Sequence, residues 1–316
     1  MSTNALTEQV GLVPPDQNAP AAYELGAEAE TAAAQGRPPG EPAAATTGLA
    51  ARSEAFEKWR IRLIGYGISL LSLAVAVVFW HLASTYGLNV GVDFQNVPTP
   101  AVVWQQLAQL MGSSEFYVHI GVSMERILIS YALAVLIGIP VGVLMGRSRL
   151  MHQILAPHIE ILRPIPAVAW IPLAILVWPT EEASIVFITF LGAFFPIVLN
   201  TVHGVEQTPE VLVRAGRCMG AGPRAIFWHV VIPAALPSIT AGLAIGMGVA
   251  WFSLLAGEII SGQYGIGYFT WEAYSLVQYP NIIIGMIAIG GLGLLSTAAV
   301  KLATRPFLRW QPKGRT

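Results

Sequence analysis

Apolar positions gather into runs close to the ~20 residues that a helix needs to cross ~30 Å of hydrocarbon, with short polar stretches between them. Six runs stand out, at 63–86, 122–145, 161–178, 183–204, 235–257 and 281–303. They predict an all-α, multi-pass membrane helical bundle with about six transmembrane helices. Between the first two runs, Pro98 and Pro100 open 101–111, where Val102, Val103, Leu107 and Leu110 fall near helical spacing. That pattern predicts a short amphipathic helix lying on the membrane. Residues 1–50 are rich in Ala, Pro, Gly and Glu and lack apolar periodicity. They hold too little apolar surface to offset the entropy of ordering and read as a disordered tail, leaving 51–316 as the membrane domain. The first apolar run begins too late, and is too long, for a signal peptide and reads as a retained span.

Composition agrees: 54% of residues are hydrophobic and 11% charged, and mean hydropathy is +0.61. A net charge of −1 predicts no nucleic-acid surface. The placement of charge sets an orientation, because Lys and Arg are retained on the cytoplasmic side during insertion. Arg52, Lys58, Arg60 and Arg62 precede the first span, Arg147 and Arg149 follow the second, and Arg214, Arg217 and Arg224 follow the fourth. Lys301, Arg305, Arg309, Lys313 and Arg315 follow the sixth, so all of these fall on one side. The opposite loops hold Arg126, at the edge of the second span, with Asp93, Glu115, Glu181, Glu182, Glu258 and Glu272 there or close by. Both termini are therefore expected in the cytoplasm.

Small residues predict helix packing, since association in lipid depends on close backbone approach. Gly138, Gly142 and Gly146 form one such stripe, Gly242 and Gly246 another, and Gly290, Gly291 and Gly293 a third. Pro164, Pro166, Pro172 and Pro179 interrupt the third span, whose freed carbonyls predict that it lines a cavity. Chemistry is sparse. No G-x-x-x-x-G-K-[ST] loop exists to cradle a nucleotide, and no H-E-x-x-H or G-x-S-x-G motif supplies a catalytic centre. The two aspartates, Asp16 and Asp93, lie outside the spans and no Lys or Arg sits mid-span, which argues against an ion-coupled carrier. The six histidines are scattered without a metal-ligand partner and read as satisfied interfacial residues. Cys218 is the single cysteine and reads as a small, partly buried side chain. The chain is expected to be a non-catalytic subunit without metal or cofactor.

The longest cytoplasmic loop between spans, 205–234, has structure of its own. Pro209 can start a helix with Glu210 in its first turn, Gly220 and Gly222 interrupt it, and Pro223 starts a second piece. The second piece, 225–231, is apolar and aromatic, with Phe227 and Trp228, and is expected to end at Pro233. Two short helices about a glycine break make a knob suited to insertion into another protein.

The stretch Arg214-Ala215-Gly216-Arg217-Cys218-Met219-Gly220, followed after nine residues by Val230-Val231-Ile232-Pro233, resembles the E-A-A, three residues, G, nine residues, I-x-L-P signature of ABC importer permeases. The Glu of the signature is replaced by Arg214 and its second Ala by Gly216. The stretches 162–172 and 257–268 are similar to the nitrate, sulfonate and taurine branch of that family, and the resemblance spans 63–310. It implies a homodimeric permease of the bacterial inner membrane, with cytosolic ABC ATPase subunits beneath and a periplasmic or lipid-anchored solute-binding protein above. It also implies that 205–234 is the ATPase coupling loop, with Arg214, Ala215, Gly216, Gly220, Phe227, Trp228 and Pro233 in contact with the ATPase. The solute would be a small anion, with nitrate preferred on the stretch 265–274. Candidate path residues are Arg126, Arg163, Ser253, Glu258, Gln263 and Tyr264. Arg126 has the alternative of an interface anchor and Arg163 of a cytoplasmic-edge charge; Glu258 either gates the periplasmic mouth or caps its loop.

Overall fold

The computed structural model describes residues 43–310 except 90, 92 and 93, with side chains described from Trp59 onward save at 61, 62 and 261. Residues 1–42 of the expected tail, Asp93, Lys313 and Arg315 lie outside the described residues. Helix α1, Ala43–Tyr86, opens the structure. The chain divides into two units, Met1–Val75 and Ala76–Thr316, so α1 belongs to both. In the first unit the side chains of Leu63, Ile64, Ile68, Leu70, Leu71 and Leu73 are exposed, as suits a helix in lipid. The Ser69 hydroxyl donates to the Gly65 carbonyl at 3.0 Å, closing its polar group on its own helix.

The second unit holds the remaining elements, and among the described residues they are helical. Helix α2, Pro100–Leu110, matches the expected amphipathic segment. Its Val103 joins Phe116, Phe269 and Ile284 in a core cluster with Leu107 and Leu110 packed against it. Helix α3 is Ser114–Arg147 and α4 Arg149–Leu162. A 3-10 turn at Ala167–Trp170 leads to α5, Ile171–Val177, and then α6 runs Glu181–Glu206. Helices α7, Glu210–Cys218, and α8, Pro223–Ile226, precede a π turn at Phe227–Val231. Helix α9, Ile232–Ser261, α10, Ile266–Ser275, and α11, Tyr279–Thr304, complete the unit.

Among the described residues five helical stretches are long and apolar enough to cross a membrane: 63–86, 114–147, 181–206, 223–260 and 279–308. The expected third span, 161–178, is not one helix. Residues 149–162 and 167–177 are two helical pieces bent by 86°. Pro164 and Pro166 remove two amide donors and clash with the preceding turn, so the helix cannot continue. Residues 149–162 form a helix that the span reading did not assign, started by the Ser148 hydroxyl accepting from the Met151 N–H at 3.3 Å. This bent pair carries the chain back across the bundle. Arg126 of α3 meets Glu182 at the start of α6, while at the other end Gly146 of α3 abuts Val205 of α6. Helices α3 and α6 are therefore parallel, and 149–177 makes the return.

Helix α6 lies at the centre, gripped by two glycine seams. A Cβ at Gly142 would lie 2.6 Å from Thr201 Cβ and 2.8 Å from the Val198 carbonyl, and one at Gly146 would lie 2.7 Å from Val205 Cβ. On the other side a Cβ at Gly242 would lie 2.5 Å from Asn200 Cβ and 3.1 Å from the Pro196 carbonyl. Gly204 of α6 reciprocates against Ser238 and Ala235 of α9. Both expected stripes thus bring α3 and α9 against α6. The third behaves differently: Gly293 faces Trp251 at 3.7 Å, whereas Gly290 and Gly291 meet nothing within 4 Å.

The seam yields a test. Gly142→Leu forces a side chain against the α6 backbone, and overpacking of this kind costs about 1–3 kcal/mol. The thermal midpoint of the purified protein should fall clearly, whereas Gly290→Leu, which meets open space, should leave it within error.

Candidate functional site

Helix α7 and the pieces after it occupy the end of the bundle where α6 stops and α9 begins. Pro209 is the N-cap of α7 as its fixed φ favours, and Glu210 stands in the first turn. Gly220 ends the piece at φ +81, a conformation costly for residues with a Cβ, and the Ala221 N–H closes the turn on the Gly216 carbonyl at 3.0 Å. Gly216 is buried against Ile226, and a Cβ there would lie 3.4 Å from Ile226 Cγ1, an ordinary van der Waals contact, so the Ala of the signature would fit at this position as well. Arg214, which stands where the family signature has Glu, donates to Glu210 one turn earlier at 2.7 Å. Val211, Leu212, Met219 and Trp228 are exposed, Trp228 at 64%, and Phe227 is edge-on to Trp228 with centroids 5.2 Å apart. Ala215 is exposed. Cys218, expected to be partly buried, is exposed and free, because its position in the amphipathic α7 falls on the outward face.

Pro233 does not end the second piece. The Ile232 N–H reaches back five residues to the Phe227 carbonyl, and this π turn joins α8 to α9 as one apolar stretch, 223–260. The wide turn absorbs the missing Pro233 donor, so the proline sits in the first turn of α9 instead of terminating a helix.

At the opposite end, Arg126, Glu258 and Tyr264 come together with two residues not chosen as path candidates, Glu182 and Ser123. Arg126 is 3% exposed and Glu258 1%. Arg126 Nη1 donates to Glu258 Oε1 at 3.0 Å and to the Tyr264 carbonyl at 2.6 Å. Its Nε donates to Glu182 Oε2 at 2.8 Å and its Nη2 to Glu182 Oε1. The guanidinium thus joins one buried carboxylate to another that is 63% exposed. At about 1.5 Å per residue Arg126 stands about 18 Å along α3, inside a helix that starts earlier than the expected span.

The same cluster captures the first turn of α10. Gly265 N–H donates to His119 Nδ1 at 3.1 Å, Ile266 N–H to Ser123 Oγ at 2.9 Å, and Gly267 N–H to Glu258 Oε2 at 2.9 Å. Ser123 Oγ donates in turn to Glu258 Oε1 at 2.7 Å. Three N–H groups without partners inside the helix are satisfied from α3 and α9, so Glu258 does cap this loop. Both Gly265 and Gly267 are buried with Glu258 against the space a Cβ would need. An arginine well inside a membrane helix demands a carboxylate partner, and that signal could have pointed from Arg126 to Glu182 or Glu258; nothing in the spacing singled out Ser123 or His119.

Arg163 and Ser253 are brought together elsewhere, in a cavity of about 580 Å³ at the break between α4 and α5, lined also by Pro164, Pro166, Gly192 and Phe252. Ser253 is fully buried and its Oγ finds no hydrogen-bond partner among the described residues. Gln263 and Tyr264 side chains are exposed beside the α10 turn, not in this cavity. Among the described residues no group of three or more His, Cys, Asp or Glu side chains is placed to hold a metal.

Residues 134–309 match the family described as "Binding-protein-dependent transport system inner membrane component". The chain is 34% identical over 234 residues to a nitrate import permease protein of Synechocystis sp., covering 71% of this chain and 83% of that one. It is 31% identical over 259 residues to the taurine transport system permease protein of Escherichia coli (strain K12), covering 80% and 93%. In fold it is similar to a chain of the MetNI methionine ABC transporter in an inward-facing conformation, with TM-score 0.50, 21% identity, and 60% and 95% of the two chains covered.

Removing one partner of a buried ion pair costs about 3–5 kcal/mol, since the other charge is left uncompensated, whereas an exposed pair contributes about 0–1 kcal/mol. Arg126→Ala should therefore lower the melting midpoint far more than Glu182→Gln, because it strands Glu258. Equal losses in the two variants would contradict the arrangement.

Proposed function

We propose that this chain, which belongs to the family of binding-protein-dependent transport inner-membrane components and to the nitrate, sulfonate and taurine branch of ABC permeases, moves a small anion inward by alternating access. ATP hydrolysis in separate cytosolic subunits drives it, a solute-binding protein delivers the anion, and a second copy of the chain completes the pathway. Both termini face the cytoplasm in this reading, as the positive charge pattern requires. The inner membrane is its place.

The observation that carries the reading is the coupling segment. Val211, Leu212, Met219 and Trp228 are exposed at a bundle end flanked by arginines, and an apolar surface rimmed by polar groups marks a protein contact. Arg214 to Pro233 seats in a groove of the ATPase, with Trp228 and Phe227 as the anchoring aromatics. Glu210, held against Arg214, supplies on the same helix face the acidic group that the signature places one turn later. Nucleotide-driven closure then displaces α7 and, through the unbroken π turn, α9.

In the solute path we assign Ser253 and Arg163 the contacts with the anion. A buried hydroxyl without a partner is costly, and a solute oxygen in the cavity would satisfy it, with Arg163 supplying charge. Arg126 is already engaged by two carboxylates, so it and Glu258 form a closure at the periplasmic mouth, alongside Tyr264 and Gln263.

Gly220→Trp should leave the protein in the membrane and abolish solute-stimulated ATP hydrolysis in proteoliposomes with its ATPase; unchanged stimulation would defeat the coupling role. Ser253→Ala should slow import by about tenfold, one hydrogen bond to a charged group, while basal hydrolysis persists. Calorimetry of the cognate binding protein with nitrate, taurine, alkanesulfonates and bicarbonate identifies the solute.

A further inference from the structure

We infer that the pocket between the coupling segment and the end of the bundle binds a multiply charged, phosphate-bearing ligand through Arg147, Arg149 and Arg217. The pocket holds about 620 Å³, within the range of small-molecule sites. It shares no lining residue with the cavity of Arg163 and Ser253. Its arginines come from three elements. Arg147 ends α3, Arg149 begins α4, and Arg217 stands in the last turn of α7. The turn between the first two is fixed by Ser148, whose N–H donates to the Leu144 carbonyl at 3.0 Å and whose hydroxyl accepts from Met151.

Charge in this pocket is unbalanced. None of the three guanidinium groups makes an ion pair among the described residues. The one carboxylate in the lining, Glu206, faces His152 at 3.4 Å. His152 lines an adjoining cavity of about 410 Å³ that also includes Arg147 and Arg149. Thr208 lines the larger pocket as well, and its Oγ1 is buried without a hydrogen-bond partner. A buried hydroxyl donor and three planar guanidinium forks match the several oxygens of a phosphate group, which accept paired N–H bonds. Three cations against one carboxylate leave a net positive charge that suits a ligand with two or more negative charges better than a monovalent anion.

Such a ligand bridges Arg217 on the coupling segment to Arg147 and Arg149 on the bundle, tying together parts that the transport cycle would move. It can be a soluble phosphorylated compound or the headgroup of an acidic phospholipid. The binding claim itself needs neither the transport reading nor an ATPase, so the two fail separately.

The test uses the full-length chain in phosphatidylcholine nanodiscs, titrated with inorganic pyrophosphate at ionic strength held constant with KCl. A second arm replaces part of the phosphatidylcholine with phosphatidylglycerol. Readouts are the thermal midpoint and hydrogen exchange across 210–231. A midpoint rise with pyrophosphate assigns a soluble source, and a rise with phosphatidylglycerol alone a lipid one. In either case the Arg149→Gln/Arg217→Gln variant should lose the rise, with pyrophosphate affinity down by about tenfold or more. Thr208→Val, which removes only the hydroxyl, should weaken binding by about threefold to tenfold. The inference is overturned if neither probe shifts the wild-type chain, or if the double variant responds as wild type does.

Discussion

Helix α6 can be held from two sides only because glycine backbones, and not side chains, face it. In hydrocarbon there is no gain from hiding apolar groups from water, so helices associate through the number of atoms in close contact. The stripe of Gly138, Gly142 and Gly146 lets α3 lie against Ile197, Thr201 and Val205, and Gly242 and Gly246 do the same for α9. The small residues are reciprocal, for Gly192 and Gly204 of α6 make room for Ser253, Ser238 and Ala235. Within the second unit, α4, α5, α10, α11 and the π turn pack against this three-helix sandwich. The cluster around Arg126 locks one end of it and the segment from α7 to the π turn, for which the coupling role is proposed, closes the other.

Much of this was legible. A residue that must approach a backbone is written as Gly, and a helix start is written as Pro209 followed by Glu210, so seams and coupling pieces follow from local rules. Helix α2 was readable for the same reason, since its apolar period is confined to one short segment. The bent pair was harder: Leu162 to Trp178 has the length and apolarity of a span, and periodicity carries no information about direction. The charge pattern already required a return crossing there, but it could not show that the crossing is broken by an 86° bend. The π turn was illegible because a proline after an apolar helix signals an end when hydrogen bonds are assumed to span four residues. Arg126 was visible as a charge, but its partners lie on two other helices, 56 and 132 residues away, and no local pattern links them.

The two polar ends are joined by continuous rods. Helix α6 begins beside Glu182, which grips Arg126, and finishes at Glu206 beside the pocket under the coupling segment. Helix α9 begins in the π turn and carries Glu258 near its far end. A displacement at either terminus of α9 therefore reaches the other without crossing a loop. The same rod presents Ser253 to the cavity between them, so the proposed solute contact, the buried ion cluster and the proposed coupling aromatics lie on one continuous helical stretch.

The π turn at Phe227–Val231 has a further consequence for phase. One residue of an α-helix turns the following side chains by about 100°, and a single π turn accommodates one residue more than an α-helical path would. The face on which Trp228 stands is therefore out of step with the face of α9 that carries Gly242, Gly246 and Ser253. An outward Trp228 and an inward glycine seam coexist on one uninterrupted helix because the register changes between them. The angular offset between what the segment shows to a partner and what it buries is thus stored in backbone hydrogen bonding, at Ile232 and Phe227, and not in any side chain.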